Sequence, residues 1–226
     1  MPCIVYRFGL TEYSRAYRLQ KDIRRKVISG EAEDTLLLLE HPPAITSGKS
    51  GKIENILVSR EELSAQGISL FFTERGGDIT YHGPGQLVAY PLIDLKKRGK
   101  DAHRYVNDLE EVVLRTLQDF SIAGCRDETH AGIWVNNSEI AAIGISLSKW
   151  VTMHGIALNI NIDLQPFFLI NPCGFTDRTA TSMAERLSGE ISVDEVTKIF
   201  LFHFSEVFET RLEEGTIGML AGGSNE

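Results

Sequence analysis

The stretch Arg75-Gly76-Gly77-Asp78-Ile79-Thr80-Tyr81-His82-Gly83-Pro84-Gly85-Gln86 constrains this chain more than any other. Five of its twelve residues are Gly or Pro, and apolar, strand-like runs flank it at Leu70 to Thr73 and Leu87 to Ile93. So many residues with special backbone freedom in one tight passage indicate backbone packed closely against something else. Arg75, Thr80, Tyr81, His82 and Gln86 add hydrogen-bonding side chains at the same place. The pattern predicts a binding loop carried on a rigid sheet rather than a plain surface turn.

The surrounding periodicities predict the scaffold. Ile4 to Phe8 reads as a first strand, and Tyr13, Ala16, Tyr17, Ile23 and Val27 recur at helical spacing up to Gly30. Thr35 to Glu40 reads as a buried strand ended by His41-Pro42-Pro43, with Ala44 to Ser47 as its return partner. Ser47 to Lys52 lacks the spacing of a phosphate-binding P-loop, which excludes that reading. A short helix is expected over Arg60 to Gln66 and a long one over Tyr105 to Phe120. Trp134-Val135, Asn136-Asn137 and Ile140 to Leu147 read as a hairpin, and His154 to Asp163 as a further strand. Ser192-Val193-Asp194-Glu195 is a capping box that opens a last helix. With no linker-like stretch inside the chain, the expectation is one α/β (α+β) domain over residues 1–212. Its central sheet, largely antiparallel or mixed, is flanked by helices, and a flexible tail covers 213–226.

Bulk properties exclude several function classes. A net charge of -8 argues against general nucleic-acid binding, which needs a basic face. No apolar run approaches the ~18 residues of a membrane span. Met1-Pro2-Cys3-Ile4 does not open a signal peptide, and three widely spaced cysteines form neither a disulfide framework nor a zinc pattern. A cytoplasmic setting with no metal and no cofactor is expected. Lys96-Lys97-Arg98-Gly99-Lys100, followed by His103 and Arg104, reads either as a solvated loop or as a docking site for an acidic partner.

The chemistry-bearing residues are few. Ala141-Ala142-Ile143-Gly144-Ile145 and His154-Gly155-Ile156-Ala157-Leu158-Asn159 are strands in which Gly and Ala replace bulky residues. Either the sheet packs tightly there, or another group approaches closely. Together with the Gly-rich loop they can form a slot for a linear acyl chain, whose seven alkyl carbons bury at most ~5 kcal/mol. Cys173 sits on a turn, Asn171-Pro172-Cys173-Gly174-Phe175, that can present its thiol to a cleft, whereas Cys3 and Cys125 read as small hydrophobes. His82 and His154 lie in Gly-rich contexts and can orient a carbonyl or serve a base; His41, His130 and His203 read as structural.

These segments together resemble the lipoyl(octanoyl) transferases, LipB-type proteins related to lipoate and biotin protein ligases. The Arg75 to Gln86 stretch is similar to the family signature, and Ile140 to Gly144, His154 to Asn159 and Asn171 to Gly174 are similar to its later blocks in order and spacing. The resemblance implies a biotin/lipoyl protein ligase-like fold and transfer of octanoyl from octanoyl acyl carrier protein. The acceptor is a lysine on lipoyl domains of 2-oxoacid dehydrogenase subunits and the glycine cleavage H protein. It implies a Cys173 thioester intermediate, substrate contacts from Arg75, Gly76, Gly77, Asp78, Ile79, Thr80, Tyr81, His82, Ala142, Ile143, Gly144, Gly155, Ile156 and Ala157, and a monomer. One position departs from the pattern. Where the family carries a lysine that lowers the pKa of the cysteine, this chain has Glu139. A carboxylate beside a thiol disfavours the thiolate. Glu139 as proton acceptor, His82 or His154 in that role, and loss of turnover all remain open. Two further readings of the same residues are an ATP-dependent lipoate or octanoate ligase and a non-catalytic homologue that binds acyl groups or carrier protein.

Overall fold

The computed structural model describes residues 2–171 and 179–216. In chain order its elements begin with β1 (Pro2–Leu10), α1 (Tyr13–Ser29), β2 (Asp34–Glu40), β3 (Ala44–Ser47), α2 (Arg60–Ala65), β4 (Ser69–Phe72), β5 (Ile79–His82), β6 (Gln86–Leu92) and α3 (Ala102–Asp119). There follow β7 (Cys125–Arg126), β8 (Gly132–Val135), β9 (Ser138–Ser148), β10 (Val151–Asn159), β11 (Thr179–Ala180), α4 (Met183–Leu187), α5 (Val193–Val207) and β12 (Arg211–Glu214). The main sheet runs β12-β1-β2-β6-β10-β9-β8-β7, with β11 beside β9. Its β1 lies parallel to β2 and β12, and from β2 to β7 every neighbour is antiparallel, so the expected mixed sheet is what forms.

Strand β2 explains why the helices sit where they do. Its run Leu36-Leu37-Leu38-Leu39 alternates between faces, and both faces are covered. Leu37 and Leu39 pack with Ala16, Ile23 and Val27 of α1. Leu36 and Leu38 join the larger core with Leu109, Val113 and Leu117 of α3 and Val196, Phe200 and Phe204 of α5. The last helix opens where expected, with Ser192 accepting the N–H of Glu195. The two-residue turn of the β8–β9 hairpin is Asn136-Asn137, at φ 49° and 69°, which suits residues that tolerate left-handed backbone.

Four expectations need correction. Ala44 to Ser47 does not return along β2. The turn at His41-Pro42-Pro43 carries the chain out of the main sheet, and β3 pairs with β4 and β5 in a separate three-stranded sheet. The Gly-rich stretch is not all loop, since Ile79–His82 is itself a strand of that small sheet. Strand β10 begins at Val151 and ends at Asn159, because the β9–β10 turn falls at Lys149-Trp150, both in left-handed backbone. Finally, β12 extends ordered sheet through Glu214, past the boundary expected at residue 212, as Leu212 packs on the larger core while the backbone pairs with β1. Cys173 and residues 217–226, part of the expected tail, lie outside the described residues. Among the described residues no helix is long and apolar enough to cross a membrane.

The face assignment of α5 is testable. Phe204 is 0% exposed and Phe202 is 60% exposed, two residues apart on one helix. Phe204→Ala should cost about 3–5 kcal/mol in denaturant unfolding. Phe202→Ala should stay within about 0.5 kcal/mol of the parent.

Candidate functional site

The Gly-rich loop is clamped between the two sheets. Gly76 N–H donates to Ile145 O on β9 at 2.8 Å. A Cβ on Gly144 would lie 3.0 Å from Gly76 O and 3.2 Å from Arg75 Cδ, so a side chain there would crowd the loop where it settles on β9. Gly155 answers a different need. Its Cβ would lie 2.3 Å from Ala89 O on the neighbouring β6. Both sequence readings of these strands therefore hold: one glycine admits a loop, the other a tight sheet junction. The segment 48–50, unsuited to phosphate, has a structural task. Its N–H groups donate to the carbonyls of Arg75, Gly77 and Asp78.

A directional hydrogen-bond chain fixes the inner wall. Gln86 Nε2 donates to Tyr81 O at 3.2 Å and to Asn159 Oδ1 at 2.9 Å, so its Oε1 accepts from His82 Nδ1 at 2.8 Å. His82 Nε2 then accepts the hydroxyl of Thr46 at 3.2 Å, and Thr46 Oγ1 accepts from Arg75 Nη2 at 3.0 Å. Asn159 Nδ2 continues the chain to Thr181 O at 3.0 Å. The tautomer of His82 follows from this network. Both ring nitrogens are committed, and burial, reinforced by His41, holds the imidazole well below its usual pKa. Its neighbour His41 donates from Nδ1 to Thr11 O at 2.6 Å and accepts the Tyr90 hydroxyl on Nε2 at 2.8 Å. Burial pushes His41 down to about 4.

His154 stands apart. It sits in left-handed backbone at φ 62° inside β10, a costly conformation for a non-glycine residue, held by its N–H donating to Gln20 Oε1 at 2.9 Å. Its ring stacks on Tyr17, and its Nε2 lies 4.0 Å from Glu74. Burial outweighs Glu74 and pushes it down to about 3.

These walls enclose a cavity of about 440 Å³, within the range of small-molecule sites. Of the residues expected to bind substrate, 75–80, 82, 142–144 and 155–157 line it. Tyr81 does not. Alternation along β5 turns it to the opposite side, where its ring packs on Phe167 in a satellite core. Both Glu139 and His154 line the cavity as well. Sequence reasoning missed Tyr13, Tyr90 and His130, which also line it. Tyr13 and Tyr90 sit within ordinary apolar patterns, so no local signal marks them.

Glu139 occupies one end of β9. Its strand partner is Ala180, and Thr181 N–H donates to its carbonyl at 2.9 Å, so the chain returning from 172–178 runs beside it. Among the described residues no hydrogen bond or ion pair engages its carboxyl oxygens. Loss of solvent, opposed by Arg75, pushes the carboxyl up to about 7. Lys149 lies at the far turn of the same hairpin and cannot stand in for a lysine at 139. The basic cluster at 96–104 is partly internal, as Arg98 donates to Phe208 O at 2.7 Å and pairs with Asp34.

A mixed sheet with a small second sheet and a glycine loop clamped over a cavity defines the lipoate-ligase class of fold. The crystal structure of lipoate-protein ligase A bound with ATP superposes with a TM-score of 0.77, covering 98% of this chain and 93% of that one at 16% identity. The lipoyl protein ligase A/B catalytic domain profile matches residues 12–205, and the chain belongs to that family. An octanoyltransferase of Caldicellulosiruptor saccharolyticus is 47% identical over 201 residues, covering 88% of this chain and 86% of the relative. An octanoyltransferase of Solibacter usitatus is 44% identical over 213 residues, covering 94% of this chain and 96% of the relative.

The hydrogen-bond chain gives a direct prediction. Thr46→Val removes the link between Arg75 and His82 and leaves buried groups unsatisfied, so chemical denaturation should report a loss of about 1–3 kcal/mol.

Proposed function

We propose that the chain transfers an octanoyl group from octanoyl acyl carrier protein to a lysine of a lipoyl domain, through a thioester on Cys173. The transfer itself follows from the full-length similarity to octanoyltransferases; the ATP-dependent ligases share only the fold, so that alternative is not favoured. The observation that carries the reading is the convergence of the Gly-rich loop, β9 and β10 on one cavity with Glu139 at its wall. The acceptor domains proposed are those of 2-oxoacid dehydrogenase subunits and the glycine cleavage H protein, met in the cytoplasm by a monomer.

The proposed chemistry uses two half-reactions. Glu139 takes the proton of the Cys173 thiol, the thiolate attacks the carrier thioester, and the departing carrier thiolate recovers the proton from Glu139. The lysine amine then attacks the acyl-cysteine. Glu139 is preferred to the histidines on physical grounds. His82 has both nitrogens committed, and His154 is pushed down to about 3. A carboxyl near 7 lies ~1.5 units below a thiol at ~8.5, an uphill transfer of about 2 kcal/mol, small beside an enzymatic barrier. The Gly-rich loop, residues 142–144 and 155–157 form the acyl slot in this scheme. The N–H of Gly76 is spent on Ile145, so oxyanion stabilisation falls to other donors.

Incubation with octanoyl acyl carrier protein should add one octanoyl group to the intact mass, and Cys173→Ala should abolish the adduct. An undiminished adduct on that variant refutes the nucleophile. Glu139 must be ionised to accept a proton, so the rate of adduct formation should fall about tenfold per pH unit below about 7 and level off above it. Glu139→Gln should flatten that profile.

The same carboxyl has a stability signature. Folding raises its pKa from 4.5 to about 7, so stability is fully present below pH 4.5 and is lost as pH rises through 7. Glu139→Gln should therefore be more stable than the parent by about 1–3 kcal/mol at pH 8 and equal to it at pH 4. Thermal unfolding at both pH values checks the sign.

A further inference from the structure

We propose that the solvent face of α1 is the docking surface for the donor, an acyl carrier protein that turns acidic groups and the phosphodiester of its acyl-bearing arm toward a basic ridge beside the cavity. The inference rests on the donor named above and adds where that donor is held.

Charge is spread unevenly along the chain. Six of its 23 Lys and Arg residues fall on α1, at Arg15, Arg18, Lys21, Arg24, Arg25 and Lys26, against one of its 31 Asp and Glu, Asp22. The chain as a whole carries -8, so this helix is a basic island in an acidic protein. Tyr13, Ala16, Gln20, Ile23 and Val27 take the buried face. Arg15, Arg18, Lys21 and Arg25 are exposed and follow at intervals of three, three and four, which sets them in one stripe along the helix. Arg25 pairs with Asp22, but Arg15 and Arg18 meet no acidic partner among the described residues. Like charges this close repel, and a partner of opposite charge relieves that repulsion.

The stripe lies next to the cavity. Lys21 holds its ammonium 4.3 Å from the centre of the Tyr17 ring, and that ring stacks on Tyr13 and on His154, two residues of the cavity wall. The Tyr17 hydroxyl donates to the Glu74 carboxylate, and Arg24 Nη2 reaches the same carboxylate at 3.4 Å. Glu74 leads into Arg75, so the helix is tied to the start of the glycine loop. The other basic cluster is a weaker candidate because much of its charge is spent. Lys96 pairs with Asp94 at 3.4 Å, Arg98 turns inward onto Phe208 O, and Arg104 lies 3.8 Å from Asp108.

The chemistry of the two substrates decides the occupant. The donor thioester sits at the end of a long arm joined to its carrier through a phosphodiester, a permanent negative charge. The acceptor brings a lysine ammonium, which this ridge would repel. A basic surface at this place therefore favours the donor and steers its approach, with a pull that fades beyond the Debye length of ~10 Å at ~0.1 M salt.

The test compares a protein donor with a small one. In Arg15→Glu with Arg18→Glu, the KM for octanoyl acyl carrier protein should rise about tenfold, and raising salt from ~0.05 to ~0.3 M should weaken the parent more than the double variant. With octanoyl-N-acetylcysteamine, which lacks carrier and phosphate, kcat/KM should stay within about twofold of the parent. Lys97→Glu with Lys100→Glu should leave both donors within about twofold. An equal loss on both donors, an unchanged KM for the carrier, a larger loss from the Lys97 and Lys100 pair, or a raised KM for the lipoyl domain instead of the donor each overturns the proposal. Binding is read separately, by fluorescence anisotropy, with carrier protein that holds octanoyl through a non-transferable amide. Its dissociation constant should rise about tenfold in the Arg15 and Arg18 double variant, and equal affinity overturns the proposal. Carrier that binds in this way to a parent protein showing no transfer refutes the acyl-transfer reading and leaves the docking surface standing.

Discussion

One chain of hydrogen bonds holds the site together. It starts at Arg75 in the glycine loop, passes through Thr46 on β3 and His82 on β5, and crosses to the main sheet at Gln86. From there it reaches Asn159 at the end of β10 and Thr181, just past β11. Each bond is worth only about 0.5–1.5 kcal/mol net, but each donor and acceptor is buried, so breaking one link strands its neighbours. The small sheet packs Ile45, Ile79 and Tyr81 into a satellite core with Ile162, Phe167 and Ile170. This polar seam and the Gly76–Ile145 contact add directional ties to the large sheet.

The seam also decides what the histidines can do. His82 looks catalytic in the sequence because it sits in the signature. Its two committed nitrogens make it a strut instead. His41, read as structural, is its edge-on neighbour with the rings 5.5 Å apart, and burial disfavours a second proton on either ring. Burial acts in the opposite sense on the Glu139 carboxyl, which it pushes toward neutrality.

The glycine loop was legible from sequence because its requirement is local: a clamped backbone must shed its Cβ atoms wherever neighbours come close. Strand β2 was legible for a similar reason, as a short leucine run closed by His41-Pro42-Pro43 suits a strand covered on both faces. The second sheet was not. Strands of four residues carry too little pattern to reveal their partners, and β3 was assigned to the wrong one. Tyr13 and Tyr90 escaped notice because a cavity wall and a core position share the same apolar periodicity. Tyr81 was expected among the cavity residues but packs on Phe167 instead, since a signature motif does not show which side of a strand faces the cavity. Glu139 drew attention only through the family resemblance; nothing in its local sequence marks an unpaired carboxyl.

The margins of the main sheet carry a separate consequence. One border is β7, only two residues long, and the other is β12, whose four residues Arg211-Leu212-Glu213-Glu214 include three charges. Exposed backbone along a border invites a second molecule to add its own strand. A stub on one side and a charged ribbon on the other offer poor templates for such growth. The protein can therefore keep a broad, leucine-rich sheet at its centre while resisting fibril-like self-stacking.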